Sequence, residues 1–212
     1  MKNRILILSL LLALGISCYG QASFGIKGGL NFNDIVIKNA PFLPIRTYTP
    51  SLGFHFGVIS KLELTKKIAF RPELLFVQRG ANTSKNEAGE EVDVRINLNY
   101  LELPLLLSFT PARVISLDVG PNLALKISAN GKTSHDKTNM NDAFNKLLDV
   151  GMSAGMTFHL SDNLSVISRY YYGLFSPNTF QGYSSTTGSP PTSSNRNLQI
   201  GFGYVLKKKP VG

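Results

Sequence analysis

From residue 114 to residue 128 apolar and polar side chains alternate without a break. Ile115, Leu117, Val119, Pro121, Leu123, Leu125 and Ile127 share one parity; Ser116, Asp118, Gly120, Asn122, Ala124, Lys126 and Ser128 share the other. A period of two marks a strand that separates two environments. At ~3.3 Å per residue the run is long enough to cross a membrane when tilted.

The same rule predicts six more strands. Phe24, Ile26, Leu30 and Phe32 alternate with Gly25, Lys27, Gly29 and Asn31, and the apolar set from Leu52 to Leu64 alternates with Gly53, His55, Gly57, Lys61 and Glu63. Ile68, Phe70, Leu74 and Phe76 oppose Arg71, Glu73 and Arg79. Runs over 148–160, 164–174 and 197–206 repeat the pattern. An eighth strand, roughly Arg95 to Phe109, is less regular. Leu103, Leu105, Leu107 and Phe109 share a face, whereas Ile96 and Leu98 fall on the other parity. A bulge near Tyr100–Leu101 would return both to the apolar side.

Short turns are expected at 65–67, 110–113 and 161–163, and long polar connections at about 33–50, 82–94, 129–146 and 175–196. Strict alternation of long and short connections puts every long loop at one end and both termini at the other. No linker interrupts the pattern. The fold expected is all-β: an eight-stranded antiparallel transmembrane β-barrel, an up-and-down meander, in one domain over residues 21–212.

Residues 1–20 read as a secretory signal peptide: Lys2 and Arg4, an apolar run from Ile5 to Ile16, then small residues at Ser17 and Gly20. Cleavage after Gly20 lowers the formal charge from +9 to +7, since Lys2 and Arg4 are lost. The single cysteine, Cys18, leaves with the leader; in a lipoprotein signal it would instead be the acylated first residue. Without it the mature chain has no thiol, disulfide or cysteine metal site. Charged residues are 17% of the chain, low for the roughly 25% of soluble domains, which excludes a disordered or coiled-coil chain. The basic excess is explained by loops and the Lys207–Lys209 tail, so no nucleic-acid partner is expected.

Parity alone does not say whether the apolar face points into a soluble ligand-binding barrel, as in lipocalins, or outward against lipid. Three features favour lipid. Gly25/Gly29, Gly53/Gly57 and Gly151/Gly155 lie on the polar face, where a narrow eight-strand lumen needs room for side chains from opposite strands. That face also carries charges of both signs. Lys61, Glu63, Arg71, Glu73, Glu102, Asp118, Lys126, Asp149 and Arg169 are expected to form a structural ion-pair network filling the lumen, with Lys27 and Arg79 on the same face. Finally, the last strand, Gln199 to Leu206, is amphipathic in the manner of a C-terminal assembly signal, although a terminal Phe is missing and three lysines follow.

Several segments, GIKGGLNF (25–32), FRPELLFVQRG (70–80), NYLELPLLL (99–107), LDVGPNLAL (117–125) and QIGFGYVL (199–206), resemble the PorT-type outer-membrane β-barrel family of Bacteroidota. The likeness covers nearly the whole mature chain. It implies outer-membrane residence, and the family's namesake is associated with protein secretion, which suggests a role accessory to a secretion apparatus with a partner protein there. On the membrane-barrel reading both termini are expected in the periplasm, with outer-membrane lipid around the barrel and the barrel assembly machinery as a partner during biogenesis.

Catalysis is not expected. Of the histidines, His55 lies on the polar face, His135 in a long loop and His159 beside a short turn, and no serine and acid fall beside either strand histidine in a triad pattern. Lys61/Glu63 and Arg71/Glu73 read as groups locking one another across the lumen rather than as acid and base. No cofactor or metal site is expected. The rival classes are a lipid-modifying barrel enzyme and a soluble ligand-binding barrel. The flexible stretch from Tyr183 to Ser194 is the remaining candidate for contacts, with Phe180 and Tyr183 as anchors. Asn82-Thr83-Ser84 fits a glycosylation triplet of eukaryotic secretion only.

Overall fold

A computed structural model describes residues 22–38, 49–87, 90–132, 137–139, 147–175 and 192–207. The leader with Cys18, His135, the loop anchors Phe180 and Tyr183, and Lys208 and Lys209 lie outside these residues. Nine strands run in chain order: β1 (Ala22–Lys38), β2 (Thr49–Glu63), β3 (Ile68–Glu87), β4 (Glu90–Ala112), β5 (Ile115–Lys132), β6 (Lys137–Asn139), β7 (Leu148–His159), β8 (Leu164–Phe175) and β9 (Thr192–Lys207).

All pairings are antiparallel. Each wall strand pairs with the next, β9 returns to β1, and the ring closes through β4–β5 and β5–β7. β6 is a three-residue strand seated on the loop end of β5. The wall is thus a closed eight-stranded meander, which leaves no sheet edge along its length. Turns at 64–67, 113–114 and 160–163 share one end with Ala22 and Lys207; this is called the turn end, and the opposite rim the loop end.

The alternation seen in the sequence is an alternation of sides. Along β5, Leu117, Val119, Leu123, Leu125 and Ile127 are exposed, while Ser116, Asp118, Asn122, Ala124 and Lys126 are buried. Phe54, Phe56 and Val58 on β2, and Ile200, Phe202 and Tyr204 on β9, point out in the same way. Phe54, Phe56 and Phe76 form an outer aromatic group with ring centroids 5.3–6.2 Å apart. The barrel therefore carries its apolar surface outside and its polar surface inside, the arrangement suited to hydrocarbon around and no water-filled core.

Two expectations are corrected. Residues 82–94 do not make a long loop: β3 and β4 stay paired from Asn82↔Arg95 to Glu87↔Glu90, so this hairpin rises beyond its neighbours. Its polar composition hid the strands, because an extended pair outside the apolar belt has no need of a greasy outer face. The register break does fall at Asn99/Tyr100, but the extra residue is Ile127 on β5, since Asn99 pairs with Ser128 and Tyr100 with Lys126. β4 keeps its parity. Ile96 and Leu98 consequently remain inside and pack with Tyr100, Ala124 and Ala129.

Candidate functional site

The lumen is where the chain concentrates its chemistry, and it is filled in two tiers. Strands alternate sides, so one residue in two along each wall strand projects inward, and eight walls bring those side chains within reach of one another. In the tier nearer the turn end, Arg169 of β8 grips Glu73 of β3 with two nitrogens, at 2.5 and 2.9 Å. Lys27 of β1 stands 3.5 Å from the same carboxylate and donates to Gln199 at 3.2 Å. Arg71 donates to both oxygens of Asp118 at 3.1 Å and to Thr157 at 3.0 Å, and the Thr157 hydroxyl donates to Asp118 at 2.7 Å.

The second tier is built on Arg79. Its guanidinium is 2.5 Å from Glu102 and 2.9 Å from Asp149. Tyr171 stacks against it, 3.8 Å from ring centroid to guanidinium carbon, with Tyr100 at 5.0 Å on the other flank. Tyr171 donates its hydroxyl to Asp149 at 2.9 Å, Asn195 donates to Asp149 at 2.8 Å, and Asn122 donates to Glu102 at 2.9 Å. A planar guanidinium suits this place because it offers several donors in one plane and two faces for stacking. Toward the loop end, Ile96, Leu98 and Ala129 form an apolar layer over Tyr100.

Seven of the nine residues expected in the network are buried on the inner face: Arg71, Glu73, Glu102, Asp118, Lys126, Asp149 and Arg169. Lys61 and Glu63 are not among them. They pair with each other at 3.1 Å at the turn-end rim, with side chains 38% and 60% exposed, and do not reach Arg71 or Glu73 across the lumen. Being last in β2, they have left the enclosed part of the wall. Lys27, Arg79, Tyr100, Tyr171 and Asn195 complete the tiers. The tyrosines and Asn195 were missed because the sequence alone gives no register for the strands that converge on Arg79.

Glycines on the inner face serve the same packing. A Cβ at Gly151 would lie 2.6 Å from the Tyr171 ring, and one at Gly29 would lie 2.9 Å from the His55 ring. Neighbouring backbone lies closer still, the Tyr172 carbonyl oxygen of β8 at Gly151 and the Ile200 carbonyl oxygen of β9 at Gly29, so the space goes to adjacent strands of the wall rather than to residues from across the lumen. His55 is 1% exposed and meets Asn31 at 2.7 Å through Nδ1.

One pair escaped the sequence. Ser116 on β5 and His159 on β7, two positions along from Thr157, the residue opposite Ser116, approach to 2.8 Å between Oγ and Nε2 near the turn end. Their separation in the chain, 43 residues, conceals the contact. The serine hydroxyl also meets Thr110 Oγ1 at 2.8 Å and is 2% exposed, so it faces the wall's interior rather than an approaching substrate. Among the described residues no group of three His, Cys, Asp or Glu is placed to hold a metal ion.

Residues 17–177 match the family model described as the outer membrane protein beta-barrel domain. No curated protein matches the sequence. Among solved structures, the chain is similar to Neisserial surface protein A, at 12% identity and a TM-score of 0.50 over 86% of this chain and 97% of that one. The Yersinia pestis attachment invasion locus protein Ail aligns at 11% identity and a TM-score of 0.44, over 88% and 99% of the two chains. OprG of Pseudomonas aeruginosa aligns at 13% identity and 0.46, over 88% and 96%. At 12% identity the likeness to Neisserial surface protein A is one of fold.

Proposed function

The chain belongs to the outer membrane protein β-barrel domain family, and from that premise we propose that it is a non-catalytic barrel that holds its long loops at the cell surface for interaction. Residues 1–20 are the leader removed on export, both termini lie in the periplasm, and the loop end faces outward. The observation that carries this reading is the packed centre. Arg79, Arg169, Tyr100 and Tyr171 are wholly buried there, and every charge named in the two tiers has an opposite partner. Neither a solute path nor a substrate pocket fits among such side chains, because an eight-strand lumen is only wide enough for its own residues.

The test is electrical. Purified protein in planar bilayers is expected to give no steady conductance, and the Arg79→Ala/Arg169→Ala variant to conduct if it folds. Steady channels in the unaltered protein would end the scaffold reading. Protease accessibility of the 176–191 loop in intact cells checks the orientation. The narrower role, accessory to a protein-secretion apparatus, is supported by the resemblance to PorT-type barrels. Its check is co-purification in mild detergent: a partner from a secretion system is expected, and barrel assembly components alone would count against it.

A lipid-modifying enzyme is the second reading, favoured only by the Ser116–His159 contact. Its signature would be fluorophosphonate labelling of the folded barrel and acyl hydrolysis lost in Ser116→Ala, His159→Ala or His55→Ala. The enclosed hydroxyl argues for neither.

A further inference from the structure

Beyond the apolar belt, the loop-end part of β4, β5 and β6 has a different outer face. Below it Leu101 and Ile127 point outward and are exposed. Above them the outward positions are Asn99 and Ser128, then Asn97 and Asn130, then Arg95 and Lys132. β6 adds Asn139 beside Asn130 and Lys137 beside Lys132. The result is three rungs, two of amides and hydroxyl and one of cations, with Arg95, Lys132 and Lys137 at consecutive register positions on three strands.

Like charges directly opposite on neighbouring strands destabilise a sheet unless an anion lies between them. Among the described residues, no carboxylate occupies an outward position of these three rungs on β4, β5 or β6. Arg95 donates one nitrogen to the Leu52 carbonyl at 2.6 Å, which lays its guanidinium across the outer face of β3. Asn99 donates to Ser128 at 2.9 Å and accepts from Gln78 at 3.5 Å, so the lowest rung is a polar ladder at the margin of the belt.

Height identifies the ligand. Arg95 is six residues above Leu101 on β4, which at ~3.4 Å per residue and a tilt of about 40° places it ~15 Å higher. Ordinary head groups extend only ~5–7 Å beyond the hydrocarbon, so they meet Arg95 only where its guanidinium bends down to the Leu52 carbonyl, and they stop short of the amide rung at Asn97 and Asn130 and of the backbone of the cation row. A head group built of sugars spans the gap. We propose that this face binds the phosphate-bearing sugar head group of a glycolipid in the adjoining leaflet, with sugar hydroxyls on the amide rungs and phosphate on Arg95 and Lys132. In cells this rests on the outward placement of the loop end; binding itself can be measured without it, because a nanodisc presents lipid at both rims.

The test uses full-length mature protein in phosphatidylcholine nanodiscs, doped with a bisphosphorylated diglucosamine glycolipid, its dephosphorylated form, or phosphatidylglycerol, with retained lipid counted by native mass spectrometry. The bisphosphorylated glycolipid is expected to be retained about ten-fold over either alternative, and Arg95→Gln/Lys132→Gln to lose that preference about ten-fold, given the known pull of each basic side chain on anionic lipid. Lys66→Gln/Lys67→Gln, at the turn end, is expected to retain it. Heat-modifiable migration verifies that each variant is folded. Equal retention by the Arg95/Lys132 variant would overturn the proposal, as would equal retention of phosphatidylglycerol, which needs charge alone. Full displacement by soluble glucosamine 1-phosphate at matching concentration would overturn the lipid as the source of the sugar phosphate. Failure of the protease experiment with success here would remove the orientation and leave the site.

Discussion

Leu98 and Leu101 stand three residues apart on β4 and face opposite sides of the wall: Leu98 is fully buried and Leu101 is 39% exposed. The same strand thus turns its outside from apolar to polar within one alternation, at Asn99. Below this level the barrel has a greasy exterior and a charged interior; above it, Ile96, Leu98 and Ala129 form an apolar interior under an exterior of Asn97, Asn99 and Asn130. Each half is matched to its surroundings, hydrocarbon for one and water for the other.

The boundary can be located by fluorescence, because the chain contains no tryptophan. Leu101→Trp and Asn97→Trp both change outward positions. Emission of the first is expected to be quenched by brominated lipid and blue-shifted, and that of the second to be unaffected by the lipid. Quenching at both positions would place the membrane across the hairpin and remove the change of polarity.

Much of this was legible in the sequence wherever one face had to be apolar. The run from Ile115 to Ile127 specified its strand, its sides and its place in the belt. Legibility failed where that demand stopped. Residues 82–94 read as a loop because strands outside the belt may be polar on the surface, and Ile96 and Leu98 read as displaced because an apolar interior above a charged one was not anticipated. Seven of the nine lumen residues followed from parity, but Tyr171 on Arg79 and Ser116 beside His159 depend on register between distant strands. Lys61 and Glu63 show the limit of parity: it gives the side of a wall, and says nothing of where the wall ends.

Glu73 meets three cations, Lys27, Arg71 and Arg169, whereas Arg169 meets two carboxylates, Glu73 and Asp118. Removing the anion takes the carboxylate from Lys27 and leaves Arg71 and Arg169 to share Asp118; removing Arg169 leaves Glu73 with two partners. Glu73→Gln is therefore expected to cost more stability than Arg169→Met, with about 3–5 kcal/mol for the former as for other broken buried pairs. Urea unfolding in lipid vesicles, followed by gel migration, measures both. An equal or reversed order would mean that the tier is not organised around Glu73.

Close packing at Gly151 can be tested against an open position on the same barrel. A Cβ at Gly151 would meet the Tyr171 ring at 2.6 Å, while one at Gly28 has nothing nearer than 3.6 Å. Gly151→Ala is expected to lose about 2 kcal/mol or more and Gly28→Ala to stay within about 0.5 kcal/mol. Similar losses would show that Tyr171 gives way easily.

Leu123 lies in the middle of the apolar belt and is 37% exposed. Leu123→Arg is expected to destabilise the folded barrel in bilayers by about 2–4 kcal/mol, whereas Asn97→Arg, above the belt, is expected to be near neutral. The check is the same unfolding assay in vesicles.

Arg169 and Glu73 are 96 residues apart in the chain and belong to strands on different sides of the ring. Their union therefore waits for almost the whole polypeptide. A nascent sheet that lacked its last two strands would hold Glu73 and its neighbours without Arg169 or Gln199, and would carry unneutralised charge into an oily medium. Whatever escorts the chain to the membrane must keep those groups hydrated until the final hairpin arrives, so insertion and ring closure are one event.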